Sequence, residues 1–576
     1  MSPATRRGAG GGSPAAGGAG GPAGAAAGRA GRAGGVDPAG GPGGRASPAA
    51  AGGDAYARLW AADPARWAAA GAAWRGLTGL VGRRAAELDA AARALRGGWA
   101  GAAAGAAGER IGALRSELAA LAPAAIETDQ VLAELAGRLQ RAKARLTEAV
   151  ALADADGVRL DRRGRASADP ARARPGQPAA VARVAAAVAA TLELADAADR
   201  EAAGRLAELT RAAGAGWVAP PPPWRPPPGA SPATVRSWWA GLTPAQRRWL
   251  VAREPELVGR LDGVPVAARD QANRLLVDRR REVLLAERRR LLDRLPRGPV
   301  ELAGLARVEG ALTGLDALAA RLTGGGQPRA YLLGLDTGGE GRTVVALGDP
   351  DRADRVLTYV PGMTAGLADA TGELGRAARV QARCAALDPT ASTAAVLWLD
   401  YDAPDFLHEA VLPHQARDAG PALHRFQEGL RATHDGPPAR QTVLGHSYGS
   451  LVVGTAARDH GLAADALVFV GSPGVGVDRA DGLRLPGGEV WASTAPDDGI
   501  RLAPAPDELP RRVLRGLSPL AAVLTGRDDH ALWFGHDPAD PGFGGRTFPS
   551  GRHGHTGYWD PANPALDGMA RIVLGR

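Results

Sequence analysis

A mainly parallel α/β sheet covered by helices on both faces, preceded by all-α regions and a low-complexity tail, is the architecture this sequence predicts. Three observations predict it. Residues 1–52 hold Gly, Ala, Pro, Ser and Arg with almost nothing to bury. From there to about residue 326 the apolar residues recur at helical spacing. Beyond that point short β-branched runs alternate with helix-length segments to the C-terminus, the pattern of a wound parallel sheet.

The chain bounds its own function classes. At 576 residues it exceeds one ordinary core, and two or three domains are expected. The formal charge is +8, yet Lys143 is the only lysine, and the arginines are interspersed with acids, as in "RLDGVPVAARDQANR". Charge so mixed makes no stripe for a phosphate backbone, so no nucleic-acid partner is expected. One cysteine, Cys384, excludes an internal disulfide framework and any cysteine-based zinc site. Its amphipathic setting, "RAARVQARCAALDP", reads as a small buried thiol. The opening "MSPATRRGAGGG" has basic residues without an apolar core behind them, so no ordinary signal peptide is read there. "VARVAAAVAATLELADAADR" is Ala-rich but ends in charges, and no transmembrane segment is expected. The default location is cytoplasmic, with export left to a route that needs no cleaved signal.

Element by element, residues 1–52 form the tail, expected to be disordered. Residues 53–160 read as a helical hairpin. Asp63-Pro64 is a start signal, and Trp67, Trp74, Leu77, Leu80 and Val81 fall near one face of the helix that follows. The pattern breaks at "RGGWAGAAAG" and resumes from "ERIGALRSELAAL" to about residue 155. Two long helices flanking Trp99-Ala100-Gly101 resemble the WXG-type helical hairpins associated with type VII secretion. That resemblance implies a helical partner for residues 54–155 and export by a type VII-like route. Residues 161–230 read as a further helix, near 177–213, and a semi-rigid Pro-rich linker, "WVAPPPPWRPPPGASP". Residues 231–326 read as helices leading into the sheet, with Trp238, Trp239, Leu242, Trp249 and Leu250 anchoring a small unit. The charge-dense stretch after Asn273 reads as a solvated helix face with i,i+4 pairs.

Residues 327–576 form the sheet domain. The strands are "AYLLGLD", "RTVVALGD", "RVLTYVPG", "TAAVLWLDYDAP", "QTVLGHS", "DALVFVGSPG" and "GEVWASTAPDD". The first two are expected to pair as an antiparallel edge hairpin. From the third onward, helix-length segments separate them.

One junction carries chemistry. "QTVLGHSYGSLVVGTAARDHG" runs from strand alternation through Gly445-His446-Ser447-Tyr448-Gly449 into a helical pattern. In a chain with 81 glycines the bare pattern Gly-x-Ser-x-Gly carries little. Its position between a buried strand and a helix carries much more, because a nucleophile elbow needs that strand, small flanking residues and an immediate helix. Ser447 is therefore the candidate nucleophile. Backbone N–H groups of Tyr448 and of Met363, in the Pro361-Gly362-Met363 turn after "RVLTYV", are the candidate oxyanion donors. In the order Ser, acid, His, the acid is Asp497 or Asp498 at the end of "EVWAST". The downstream histidines are His530, His536, His553 and His555; the last two lie in the Gly-rich loop "GRHGHTGYWDP" before the terminal helix. Tyr558 could wall the site, and "GIRLAPAPDELPRRVLRGL" is a weak lid candidate.

From about residue 232 onward the chain resembles the actinobacterial α/β-hydrolases known as a domain of unknown function. The residues that carry the resemblance are "WWAGL", "REPELVGRLDGVPVAARDQANR", "YVPGMTA", "VLWLDYDAP", "GHSYGS", "VWASTAPDDGI", "FGHDPADPGFGGRTFP" and "HGHTGYWDP". It implies an α/β-hydrolase fold with Ser447 as nucleophile, Asp498 as acid and His555 as base. The expectation is a serine hydrolase that cleaves an ester, thioester or amide of a small-molecule or lipid-like acyl substrate, with no cofactor and no metal. The alternative is a catalytically weak or inactive hydrolase-like interaction protein linked to type VII secretion.

Overall fold

The computed structural model describes residues 48–576, apart from 173–174, 216–221, 223, 295–297, 406, 486–487 and 503–530. Most of the expected N-terminal tail, part of the Pro-rich run, His530 and most of the lid candidate therefore lie outside the described residues.

Helix α1 (Pro48–Ala61) begins ahead of the expected boundary at residue 53. Helix α2 (Pro64–Gly98) starts as the sequence signals: Asp63 caps it by accepting the Ala65 N–H, and Pro64 sits where no N–H is needed. After the Trp99–Gly101 turn, in which Gly101 takes φ +116, α3 (Ala102–Asp156) packs along α2. The face of α2 that is buried holds Gly71, Arg75 and Val81. Trp67, Trp74, Leu77 and Leu80, beside that face, stay 41–42 % exposed. A short hairpin, β1 (Val158–Leu160) with β2 (Ala166–Ala168), leads to α4 (Gln177–Gly214). By length and composition α4 is apolar enough to cross a membrane. Here α4 packs against α3 and buries Val184, Val188, Ala195 and Ala198, making α2–α4 one bundle.

Three short proline-started helices follow, α5 (Pro232–Ala240), α6 (Pro244–Arg253) and α7 (Pro255–Arg260), and then the long α8 (Val266–Leu292). Trp238, Trp239, Leu242 and Leu250 share a small core there, with Trp249 packed on it. The charges of α8 pair in several directions: Arg274 pairs along α8 with Asp270, Arg279 and Arg280 reach Glu256 of α7, and across to α9 (Pro299–Thr323) Arg281 meets Asp316 at 2.7 Å, Arg288 meets Glu309 and Arg307 meets Glu287. Helix α8 then lies against the edge of the sheet.

The sheet has eight strands: β3 (Ala330–Asp336), β4 (Arg342–Leu347), β5 (Arg355–Val360), β6 (Thr393–Leu399), β7 (Arg440–His446), β8 (Ala466–Val470), β9 (Glu489–Ser493) and β12 (Arg546–Thr547). Their order is β12-β9-β8-β7-β5-β6-β4-β3. The expected β3–β4 antiparallel hairpin forms one edge, β4 also runs antiparallel to β6, and every other pairing is parallel. Strands β10 (Ala531–Leu532) and β11 (Gly535–His536) form a separate hairpin. Strand β12 has no counterpart in the sequence reading: two residues, Arg546 and Thr547, carry no apolar period.

Helices α10 (Ala370–Leu387) and α14 (Pro564–Leu574) pair with each other, as do α12 (His414–Thr433) and α13 (Tyr448–His460), covering the two faces. The short α11 (Leu407–Ala410) precedes α12. Cys384 on α10 is fully buried, and its thiol lies 3.6 Å from the Ala570 carbonyl.

A buried charge cluster joins the N-terminal bundle to the sheet domain. Asp129 of α3 meets Arg75 of α2 at 3.1 Å and Arg329, just before β3, at 2.8 Å. Arg329 also meets Asp270 of α8 at 2.9 Å, and Asp270 meets Arg274. Asp129 and Asp270 are fully buried and carry the cations that face them.

Candidate active site

The residues at the β7–α13 junction have little steric freedom. Ser447 adopts φ 53 and ψ −128, a conformation that L-residues rarely hold. Its N–H donates to the Val470 carbonyl at 3.1 Å, which ties the turn to β8. A Cβ on Gly445 would stand 2.6 Å from the Ser450 Cα, and one on Gly449 would stand 2.3 Å from the Val360 carbonyl oxygen. Only glycine lets α13 press this closely on β7 and β5. The strained turn lifts the Ser447 side chain to the carboxyl edge of the sheet, where sites in wound folds lie.

Three side chains from separate segments meet there. Ser447 Oγ is 2.9 Å from His555 Nε2, and His555 Nδ1 is 2.9 and 3.0 Å from the two oxygens of Asp498. Asp498 follows β9 and is almost wholly buried. One of its oxygens accepts the Ile500 N–H at 2.9 Å, and the other accepts the Tyr558 O–H at 2.6 Å. Burial alone would raise the Asp498 carboxyl. The hydrogen bonds from His555, Tyr558 and Ile500 outweigh it and hold the group below the usual carboxylate range. A carboxylate on Nδ1 keeps a proton there and leaves Nε2 as an acceptor facing the serine hydroxyl.

The neighbours that spacing could not separate have different partners. Asp497 accepts the Gly554 N–H at 3.2 Å. His553 faces Asp560, 3.7 Å away, and His536 bonds Asp540 at 2.9 Å. Tyr558 corrects the sequence reading. Rather than walling an open site, it is fully buried, donates to Asp498 and accepts the Ala495 N–H.

The Pro361–Thr364 turn lies against Ser447: a Cβ on Gly362 would fall 2.7 Å from the Ser447 Cβ. The Tyr401 hydroxyl donates to the Pro361 carbonyl at 2.6 Å, and the Thr364 N–H donates to the Pro404 carbonyl at 2.8 Å. Gly362 is thus held against Ser447 with Met363 next in the chain, and Tyr448 opens α13, its hydroxyl donating to the Leu412 carbonyl. The first N–H groups of a helix have no partners within it, so the α13 start presents donors toward the serine.

Two residues close to this arrangement were not assigned any role from sequence. Gly471, at the end of β8 with φ +56, leaves room that a Cβ would take within 2.9 Å of Asp498 and 3.2 Å of His555. A positive-φ glycine after "VFV" leaves no trace distinguishable among so many glycines. His446 is fully buried against His555, and nothing in its spacing marks it.

A cavity of about 1050 Å³ adjoins the turn on the β6 side. Tyr401 and Gln415, which hold the turn and Tyr448, line it, and its other walls carry charged groups such as Arg260, Arg269, Asp400 and Asp418. Among the described residues no group of three or more His, Cys, Asp or Glu is placed to hold a metal ion.

Comparison with known proteins follows the same lines. An alpha/beta hydrolase family model matches residues 336–507, which include Ser447 and Asp498 but not His555. The uncharacterized protein Rv2079 of Mycobacterium tuberculosis is 33 % identical over 376 residues, 61 % of this chain and 56 % of that protein. The chain thus spans little more than half the length of that relative. The uncharacterized protein Mb0988c of Mycobacterium bovis is 33 % identical over 214 residues, 34 % of this chain and 80 % of that protein. With its eight-stranded sheet, its matched residues and this kinship, the chain belongs to the alpha/beta hydrolase family.

Proposed function

We propose that the chain is a serine hydrolase that cleaves an ester, or a thioester or amide, through an acyl-enzyme. The observation that carries the reading is the unbroken hydrogen-bond line from Ser447 through His555 to Asp498. In this mechanism His555 Nε2 takes the Ser447 proton as Oγ attacks the carbonyl carbon. The carbonyl oxygen becomes an oxyanion, held by the backbone N–H groups of Tyr448 and Met363. Collapse breaks the bond to the leaving group, and the His555 imidazolium returns the proton to it. Water then repeats the sequence, leaving the acid and free Ser447. Asp498 keeps the Nδ1 proton in place and offsets the imidazolium charge.

The exposed stripe of Trp67, Trp74, Leu77 and Leu80 favours a helical partner for residues 54–155 as an additional role.

Labelling with an active-site-directed fluorophosphonate tests the enzyme. The wild type should label and turn over p-nitrophenyl acetate, and Ser447→Ala should do neither while its far-ultraviolet spectrum is unchanged. Undiminished labelling of Ser447→Ala would overturn the assignment.

A further inference from the structure

We propose that His446, the residue before the serine, is a positioning residue that fixes the main chain of His555 and so sets the distance between His555 Nε2 and Ser447 Oγ. This inference rests on the reading of Ser447 and His555 as nucleophile and base.

The His446 Nε2 is 2.9 Å from the His555 carbonyl oxygen. A carbonyl can only accept, so Nε2 carries the proton and donates. The other ring nitrogen, Nδ1, is buried without a hydrogen-bond partner among the described residues, which suits a lone pair and would strand a second proton. The ring lies 4.9 Å from the His555 ring, centroid to centroid, and 5.0 Å from Trp559, edge to face. The charged and titratable groups that face it are His555, Asp498 and Tyr558, with Arg376 behind the Trp559 ring. Burial, with His555 next to it, pushes the His446 imidazole down to about 3. It therefore stays neutral when His555 becomes an imidazolium, so no second cation opposes that charge.

The loop that carries His555 has little stiffness of its own. Gly551, Gly554 and Gly557 surround the base, and Gly554 takes φ +65. Asn563 accepts from Gly551 and donates to Gly557, and Asp497 accepts from Gly554. Those bonds hold the loop on either side of the base. The His446 bond holds the main chain of the base itself. Because His446 is the last residue of β7, covalently next to Ser447, that one bond refers His555 directly to the nucleophile's own backbone. Misplacing reacting groups by about 1 Å costs on the order of 10²-fold in rate.

The test compares His446→Phe, which keeps a flat ring and loses the donor, with His446→Gln, which keeps an N–H donor. With p-nitrophenyl acetate, His446→Phe is expected to lose about 10²-fold in kcat with KM changed less than about twofold. Its fluorophosphonate labelling rate should fall in parallel, and His446→Gln should recover most of the loss. In the wild type with ¹⁵N-labelled histidine, NMR should show His446 as the Nε2–H tautomer, unprotonated at pH 4.5. Full kcat in His446→Phe, equal losses in both variants, or titration of His446 near neutrality would each overturn the proposal. A wild type that neither labels nor hydrolyses would instead sink the nucleophile reading. The NMR tautomer and titration would still decide the His446 contact.

Discussion

Lowering the pH from 7.5 to 4.5 should weaken the fold through His446 by an amount its burial fixes. In the unfolded chain an imidazole titrates near 6.5, whereas in the folded protein this one is pushed down to about 3 by burial and the neighbouring His555. Between those values the unfolded chain binds a proton that the folded chain refuses. Stability therefore falls as pH drops through about 6.5, and the loss continues until about 3. Each pH unit inside the window is worth about 1.36 kcal/mol, so the step to pH 4.5 costs about 2.7 kcal/mol. Other groups titrate over the same range. Asp349 is raised to about 6 by burial and Glu134, and Asp351 is raised by burial and Asp349; both act in the opposite direction. The useful quantity is consequently the difference between wild type and His446→Gln, in which those contributions cancel. Urea unfolding followed by tryptophan fluorescence measures it, since Trp559 packs on the ring. The variant's stability relative to wild type should improve by about 2.7 kcal/mol between pH 7.5 and 4.5. A difference that does not change with pH would refute the argument, because it would mean that His446 protonates in the folded state as it does in the unfolded chain.

Three further outcomes follow from contacts described above. Asp498→Asn should lower kcat by on the order of 10⁴, and Asp497→Asn by far less, because an asparagine oxygen can still accept the Gly554 N–H; the reverse ranking in p-nitrophenyl acetate kinetics would move the acid. Gly449→Ala must push a methyl against the Val360 carbonyl, which costs about 1–3 kcal/mol or more and should abolish labelling; an unchanged melting temperature would contradict that packing. Asp129→Ala leaves Arg75 and Arg329 buried without their shared partner and should cost about 3–5 kcal/mol in urea unfolding; a stability equal to wild type would mean that water enters the cluster.

Much of the fold was legible in the sequence because it rests on local patterns. The change from helical to strand period near residue 327 marks the sheet domain, and seven of its strands are apolar runs that could be read directly. Strand β12 was not legible: Arg546 and Thr547 pair with β9 because the chain passes there, not because their side chains favour a strand. Helix α2 misled in another way. Its tryptophans fall on one face as their spacing requires, but the bundle buries Gly71, Arg75 and Val81, since Arg75 has a carboxylate waiting on α3. The i,i+4 reading of α8 holds for Arg274 with Asp270, but it missed that α7 and α9 would lie alongside and supply the other partners.

The same division runs through the candidate site. Ser447 was legible because strand, glycines and helix lie in one continuous stretch, and a strained turn needs its small neighbours next to it in the chain. Asp498 over Asp497 could be named only through a family resemblance, and His555 over His553 through that resemblance and its nearness to Tyr558, because residues so close in a loop share most local signals. Their directions depend on packing: Gly471 leaves a space, Tyr558 and the Ile500 N–H grip one carboxylate, and His446 holds one imidazole's main chain. Sequence by itself determined the elements and the position of the serine, which depend on residues a few places apart. Tertiary structure decided which imidazole faces that serine and which carboxylate faces that imidazole, because hydrogen bonds across 50 to 110 residues form only after the sheet has brought its loops to one edge.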